Sequence, residues 1–426
     1  VNAETSRLEK NSSATAEPTE SVGVGWTATL ALANLGLWIG YFGPLQVSLP
    51  NQMQAIDPGG KETALAVATG IGAAIALLVN PLTGALSDRT TSRFGRRHPW
   101  SVLGALLGAG GLAFLAGQTS LTGVIIGWCL AQTGLNMLQA AITAAVPDRV
   151  PVRERATVSG WITAQQLLGL VAGVVLVGTL ITGQAGGYLA LALVVPLLVL
   201  PFVLSTPDPV LDPAERPAWS TREFLRGFWI SPRAHPDFAW AWLTRFLMQL
   251  SYSMATLYLL YYLRDELHYE TLFPGSTAET GLLILILLNT MVAMVATVIG
   301  GVISDRSGRR KRSVTIAALI LSGPGVALAF WPSWPCALGS AVVLGLGYGV
   351  YMSVDQALVT QVLPAAVNRG RDLGLINIAN SAPQVLSPAI AAPLVAHAGG
   401  YPTLYLSVTA ISLLGAVFVR KIRGVP

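Results

Sequence analysis

The sequence predicts an all-α membrane protein whose twelve transmembrane helices fall into two related six-helix halves. Three observations carry this reading. The composition is 53% hydrophobic and only 11% charged, with a mean hydropathy of +0.59, whereas soluble domains carry about 25% charged residues. Apolar runs of about 18 or more residues recur along the chain, each long enough to cross a hydrocarbon core of ~30 Å as a helix. A charged motif also occurs twice, its aspartates Asp88 and Asp305 lying 217 positions apart in a chain of 426. A soluble helical protein would need polar faces between the apolar runs, and these are missing.

In chain order, residues 1–24 are rich in Ser, Thr and Glu and contain no apolar segment followed by a small-residue cleavage site, so they read as a disordered cytosolic tail. Six spans then make up an N-terminal half over 25–205, at 25–49, 63–86, 99–117, 121–147, 155–182 and 187–205. A Pro-rich, charged linker follows at 206–236. Within it, Ser220 to Glu223 fits a capping box followed by Phe224, Leu225, Phe228 and Trp229 at helical spacing, which predicts an amphipathic helix on the membrane surface. The C-terminal half, 237–420, holds spans at 237–264, 278–303, 313–332, 335–362, 372–397 and 400–420, and 421–426 forms a second cytosolic tail. With both ends inside, 23 of the 26 Lys and Arg residues lie on the cytosolic side, as the positive-inside rule requires. Lys61 and Arg264 fall outside, and Arg245 falls within a span. The repeat extends beyond the charged motif: Ala145-Val-Pro147 matches Val362-Leu-Pro364, and Ala185-Gly-Gly-Tyr188 matches Ala398-Gly-Gly-Tyr401.

The duplicated motif sits between the second and third spans of each half. Its first copy contains Gly84, Asp88, Arg89, Arg93, Gly95, Arg96 and Arg97; its second contains Gly301, Asp305, Arg306, Gly308, Arg309 and Arg310. An aspartate at a span end can face a helix N-terminus, where unpaired N–H groups and the dipole favour negative charge. A glycine one turn earlier permits close helix approach. Arginine alone would satisfy the orientation rule, so the paired aspartates call for a further role.

Polar side chains are unevenly spread among the spans. The third and sixth of each half offer little beyond Ser and Thr. The first and fourth carry stripes at helical spacing: Asn34, Trp38 and Tyr41; Trp128, Gln132, Asn136 and Gln139; Arg245, Gln249, Tyr252 and Thr256; and Tyr348, Tyr351 and Asp355. The fifth spans add Trp161, Gln165 and Gln166, then Asn377, Asn380 and Gln384. Polar groups at membrane depth must face protein or a water-filled cavity, so these stripes predict a polar interior. Aromatic rings beside amides suit a hydroxylated ligand, although drug-binding pockets are aromatic too. Arg245 lies about 12 Å and Asp355 about 14 Å deep at ~1.5 Å per residue. An isolated charge there costs at least about 2.5–3.5 kcal/mol, so the two are expected to pair, either as a static ion pair or as a proton-exchanging site with Arg245 also available to a substrate.

Other classes are poorly served. Cys129 and Cys336 stand alone in apolar runs and imply neither a disulfide nor a metal site. The net charge of +5 and pI of about 9.3 are explained by orientation rather than by nucleic acid. Four scattered histidines (His98, His235, His268, His397) and the lack of a nucleophile motif offer no catalytic constellation.

With these residues in view, the chain resembles a major facilitator superfamily transporter over essentially everything beyond the N-terminal tail. The narrower pattern Asn80-Pro81, Ser87-Asp88-Arg89-Thr90, Ser92-Arg93-Phe94-Gly95-Arg96-Arg97 and Pro99-Trp100 is similar to the glycoside–pentoside–hexuronide:cation symporters and the sucrose/proton symporters. The sodium-coupled melibiose-type members carry acidic residues near the Asn-Pro position, where this chain has Ala76 and Asn80. The resemblance implies that the first and fourth spans of each half line a central cavity, and that the loop motif latches the cytosolic side shut. Asp88 would meet the span following Arg371 and Asp372, and Asp305 the span following Glu154, with Arg306 or Arg309 engaging Glu154. It further implies a secondary active transporter moving a small polar solute, a sugar or glycoside first, by proton-coupled symport. Proton-driven export is the alternative, although Gly160, Gly169, Gly173 and Gly178 do not form the Gly-Pro-Gly-Gly antiporter signature. A non-transporting receptor would show a degraded latch. The expected partners are the solute, protons and the bilayer, with no cofactor, metal or nucleic acid, and the expected state is a monomer in the cell membrane.

Overall fold

Backbone N–H and C=O groups in hydrocarbon have no water to bond, so segments this apolar fold as helices that satisfy themselves. The computed structural model describes residues 18–151, 154–216, 220–222, 233, 235–307, 310–361 and 369–422. Among them, twelve long helices follow one another. Helix α1 (Val24–Gly43) passes through a π-turn (Pro44–Ser48) into Leu49–Ile56, the wider turn occurring where Pro44 cannot donate a backbone bond. Then come α2 (Lys61–Ser87), α3 (His98–Leu115), α4 (Leu121–Arg149), α5 (Arg155–Val175, with a π-turn at Leu176–Leu180) and α6 (Gln184–Ser205). The second set comprises α7 (Pro236–Leu257, resuming at Leu259–Asp265), α8 (Ala278–Ser307), α9 (Arg310–Phe330), α10 (Trp334–Gln361), α11 (Arg369–His397) and α12 (Gly400–Phe418).

Each predicted span falls on one of these helices, with two local differences. Helix α1 runs on to Ile56, and α7 breaks at Tyr258, whose ψ of 14° departs from the helical value. Among the described residues, nine helices are long and apolar enough to cross a membrane by length and composition. In α5 the stretch Ala164–Leu180 is apolar but shorter.

The chain divides into two compact units, one of Val1–Gln52 with Ala74–Trp219 and the other of Met53–Ala73 with Ser220–Pro426. The packing inside them repeats. In the first, α1 packs on α5 and α6, and α3 on α4 and α6; in the second, α7 packs on α11 and α12, and α9 on α10 and α12. Every one of these contacts recurs six helices later, which is the structural form of the sequence repeat. The α3–α4 contact is close because Gly104 and Gly111 oppose the α4 backbone at Leu138 and Ala131, and Gly134 opposes the α3 backbone at Gly108, where a Cβ would collide.

The two basic residues expected outside are both paired within the second unit. Lys61 Nζ lies 2.7 Å from Asp265 Oδ1, and Arg264 pairs with Glu279. The amphipathic helix expected after Ser220 lies outside the described residues beyond Arg222.

Candidate functional site

The first charged cluster forms where α2 ends and α3 begins. Ser87 closes α2, and Gly95 adopts a φ of +91°, a left-handed value that turns the chain back toward α3. A Cβ at Gly95 would also strike Asp208, which follows α6. Asp208 Oδ2 accepts the backbone N–H groups of Arg97 at 2.6 Å and His98 at 2.7 Å, so a negative charge caps the positive end of α3. Arg97 reaches Asp148 at the end of α4 through Nε at 2.7 Å, and Asp88 through Nη2 at 2.5 Å, and it also donates to Ser87 Oγ. Arg96 Nη2 holds the other Asp148 oxygen at 2.6 Å. Burial opposes the charge on Arg97, but Asp148 and Asp88 outweigh it and hold its pKa above the ordinary arginine value. The result is one network tying the ends of α2, α4 and α6 to the start of α3.

Asp148, Asp208 and Arg97 were not singled out from sequence as gate residues. The available signal was an acid at the end of α4 facing a cluster of arginines. Of the residues that were, Asp88 is exposed and pairs with Arg97 of its own loop, Arg89 is half-buried, and no described atom would lie within 4 Å of a Cβ at Gly84. Glu154 accepts from Ser21 Oγ at 2.5 Å, and Arg306 is exposed. The side chains of Asp305, Arg309 and Asp372 lie outside the described residues, so the expected latches onto α5 and α11 do too.

The interior stripe of the first unit is neutral. Tyr41 lies 6.4 Å from the fully buried Trp128 ring, and its hydroxyl is a hydrogen-bond partner of Gln132. Asn136 Nδ2 donates to Gln132 Oε1 at 3.0 Å, and Asn34 donates to Leu30 O of its own helix. Gln139 Oε1 accepts from Asn80 at 3.3 Å, joining α4 to α2. The indole N–H groups of Trp38 and Trp128 are buried without an acceptor among the described residues. Trp161 is exposed and Gln165 half-buried.

In the second unit the stripe is charged. Arg245 Nε on α7 stands 3.2 Å from Asp355 Oδ2 on α10, with the two side chains only 6% and 4% exposed. Tyr351, one turn before Asp355, is fully buried. Tyr348, about one turn earlier again by chain position, donates to Gln249 Oε1 at 3.3 Å and stacks on Tyr252 at 3.7 Å. The Tyr252 hydroxyl in turn donates to Asn289 Oδ1 at 3.0 Å. Asn289, the single amide in the sequence of α8, was not picked out from sequence. The side chains of Asn377 and Asn380 lie outside the described residues. Helices α7, α8 and α10 thus assemble a polar seam: an ion pair, a stacked tyrosine pair and two amides.

The profile of the Major Facilitator Superfamily matches residues 29–310 and 275–426. Comparison with curated proteins gives no match. Solved structures of similar fold include a peptide transporter of the POT type in complex with sulfate, at 15% identity and a TM-score of 0.77, covering 97% of each chain. They also include the nucleoside transporter NupG, at 14% identity and a TM-score of 0.72, covering 93% of this chain and 99% of that one. A POT family transporter in complex with 5-aminolevulinic acid is similar at 14% identity and a TM-score of 0.73, covering 93% of this chain and 96% of that one.

Proposed function

As the chain belongs to the major facilitator superfamily, and is a multi-pass membrane transporter rather than an enzyme, we propose that it moves a small polar solute by proton-coupled symport, with a sugar or glycoside as the substrate class. The observation that carries this reading is the buried Arg245–Asp355 pair, 3.2 Å apart on two helices that also present tyrosines and amides. Two charges taken out of water are costly to keep, and hydrophobic replacement is often neutral or stabilising, so such a pair is a weak device for stability alone. It is a good device for coupling. Contact with Arg245 favours the Asp355 carboxylate, and separation of the two in a low-dielectric interior favours the acid. Solute binding that pulls the guanidinium away would therefore draw in a proton, and return of the pair would expel it.

The neutral stripe of the first unit supplies the recognition. Trp38 and Tyr41 offer aromatic faces, Gln132, Asn136 and Gln139 offer amides, and the indole N–H groups of Trp38 and Trp128 are buried without an acceptor among the described residues. Hydroxyl-rich rings match that combination of stacking faces and donors. The nucleoside and peptide transporters of similar fold add two classes worth measuring alongside sugars. The distribution of basic residues supports a reading with both termini in the cytosol and the chain in the cell membrane, and the same reading takes the monomer as the transporting unit. Uptake into proteoliposomes of radiolabelled disaccharides, nucleosides and dipeptides, with and without an imposed pH gradient, tests the proposal. Accumulation of a sugar only with the outside acidic supports it. Accumulation driven by the opposite gradient makes the protein an exporter, and indifference to the gradient removes proton coupling.

A further inference from the structure

Helices α8 and α9 of the second unit both pack on α10 but leave a cleft between them. The sequence explains the shape. Gly345 and Gly349 on α10 let the α8 backbone come so close at Asn289 and Ala293 that a Cβ would collide. With α8 seated this low, its outer face and that of α9 stand apart as the walls of a groove of about 630 Å³. Met291, Val295, Ile299 and Ile303 form one wall, Ile316 stands on the other and Val350 lies on the floor; Ser313 contributes the one side-chain hydroxyl of the lining. All four named residues of the α8 wall are more than half exposed. In water such a surface would be a liability; in a bilayer it faces acyl chains. From Leu288 to Ile303 the groove runs about 22 Å at ~1.5 Å per residue, more than half of the ~30 Å hydrocarbon core.

The two ends of the groove differ. At the end where α8 connects to α9, the chain carries Arg306, Arg309, Arg310, Lys311 and Arg312 against the single acid Asp305. Arg306 is exposed one turn beyond Ile303, and Arg312 is exposed one turn before Ile316, so both stand at the mouth. Lys311 is engaged otherwise, donating to Ile422 O at 3.0 Å. The opposite end, at Leu288 and Leu346, has only apolar lining. An apolar trough with a cationic mouth matches one kind of molecule, and basic pockets between transmembrane helices are known to hold anionic headgroups.

We propose that this groove is a specific site for an anionic phospholipid, an acyl chain lying between α8 and α9 and the phosphate seated against Arg306 and Arg312. The site is distinct from the Arg245–Asp355 seam and does not depend on the solute. The test uses the full chain purified in detergent, titrated with dioleoyl phosphatidylglycerol or dioleoyl phosphatidylcholine and read by native mass spectrometry and thermal unfolding. Phosphatidylglycerol should be retained on the protein and raise the unfolding midpoint, and phosphatidylcholine should do neither. Arg306→Gln with Arg312→Gln should weaken phosphatidylglycerol binding about tenfold, whereas Arg216→Gln with Arg420→Gln, which removes as many exposed charges elsewhere, should leave it unchanged. Val295→Trp, which fills the trough and alters no charge, should also weaken retention. Equal binding of the two lipids overturns the proposal, as does equal weakening by the two double variants, which marks general attraction to a basic protein. Unaltered retention by Val295→Trp overturns it as well. Should that variant not fold, the two double variants decide alone, since their residues are exposed.

Discussion

The two units repeat one packing plan, and the charge networks seen among their described residues lie in different places. In the first, Asp88, Arg96, Arg97, Asp148 and Asp208 gather at the ends of helices, and the interior stripe of α1 and α4 is neutral. In the second, Arg245 and Asp355 sit in the interior on α7 and α10. Charge at a helix end can be shared among several partners and a helix dipole, as buried Arg97 is between Asp148 and Asp88. Charge in the interior persists only in company, so its state is sensitive to any movement of that company. The difference suggests a division of labour in which the first unit recognises and the second couples.

The largest effect expected from breaking this contrast is at Arg245. Arg245→Ala leaves the Asp355 carboxylate buried without its cation, and should cost about 3–5 kcal/mol, read as poor membrane insertion and a lowered unfolding midpoint. Combining it with Asp355→Asn should recover most of that stability but not transport. A double variant as unstable as Arg245→Ala would show that the arginine serves packing and not the carboxylate.

Asp355→Asn alone mimics the protonated aspartate and leaves the buried Arg245 guanidinium without its anion. Gradient-driven accumulation should disappear while counterflow exchange of solute continues at a reduced rate. If exchange and accumulation fall together in a folded protein, Asp355 binds solute instead of carrying the proton.

The end cluster sharpens the comparison from the other side. Asp148 is almost buried and joins two arginines, whereas Asp88 is more than half exposed and joins one. Asp148→Asn should therefore cost about 2–3 kcal/mol in thermal unfolding, as for a buried charged partner lost from a network, without altering the pH dependence of transport. An altered pH dependence would blur the division between static ends and a working interior.

In the first unit, Trp128→Phe keeps an aromatic face and removes the indole donor. Solute affinity should fall about twofold to twelvefold, the worth of one hydrogen bond of about 0.5–1.5 kcal/mol, with the pH dependence of uptake unchanged. The smallest stability effect belongs to Asp88→Asn, under about 1 kcal/mol as for an exposed ion pair. A latch would still make that variant slow in transport, with cysteine labelling shifted toward an open cytosolic mouth. Unchanged labelling together with unchanged transport would reduce Asp88 to an ordinary surface partner of Arg97.

The sequence by itself determined the class of the protein and the placement of its helices. Hydropathy is a local property that the bilayer reads directly, so spans such as Leu121–Arg149 and Ala278–Ser307 were legible within a few residues. The repeat was legible because Asp88 and Asp305 mark equivalent turns, and the family match and the recurring helix contacts agree with it. The pairing of Arg245 with Asp355 was also foreseeable, since equal depth and the cost of a lone charge left few alternatives. Tertiary structure alone decided the rest. Asp148 and Asp208 join Arg97 from 51 and 111 residues away, and no local pattern encodes which distant helix end arrives at which arginine. The Tyr252–Tyr348 stack, its bond to Asn289 and the break at Tyr258 likewise depend on how α7, α8 and α10 meet. The groove beside α8 depends on the same packing, for it exists because Gly345 and Gly349 admit a neighbouring backbone. Periodicity reports which face of a helix is polar; the partner across the gap is fixed only by the packing of small and large side chains in three dimensions.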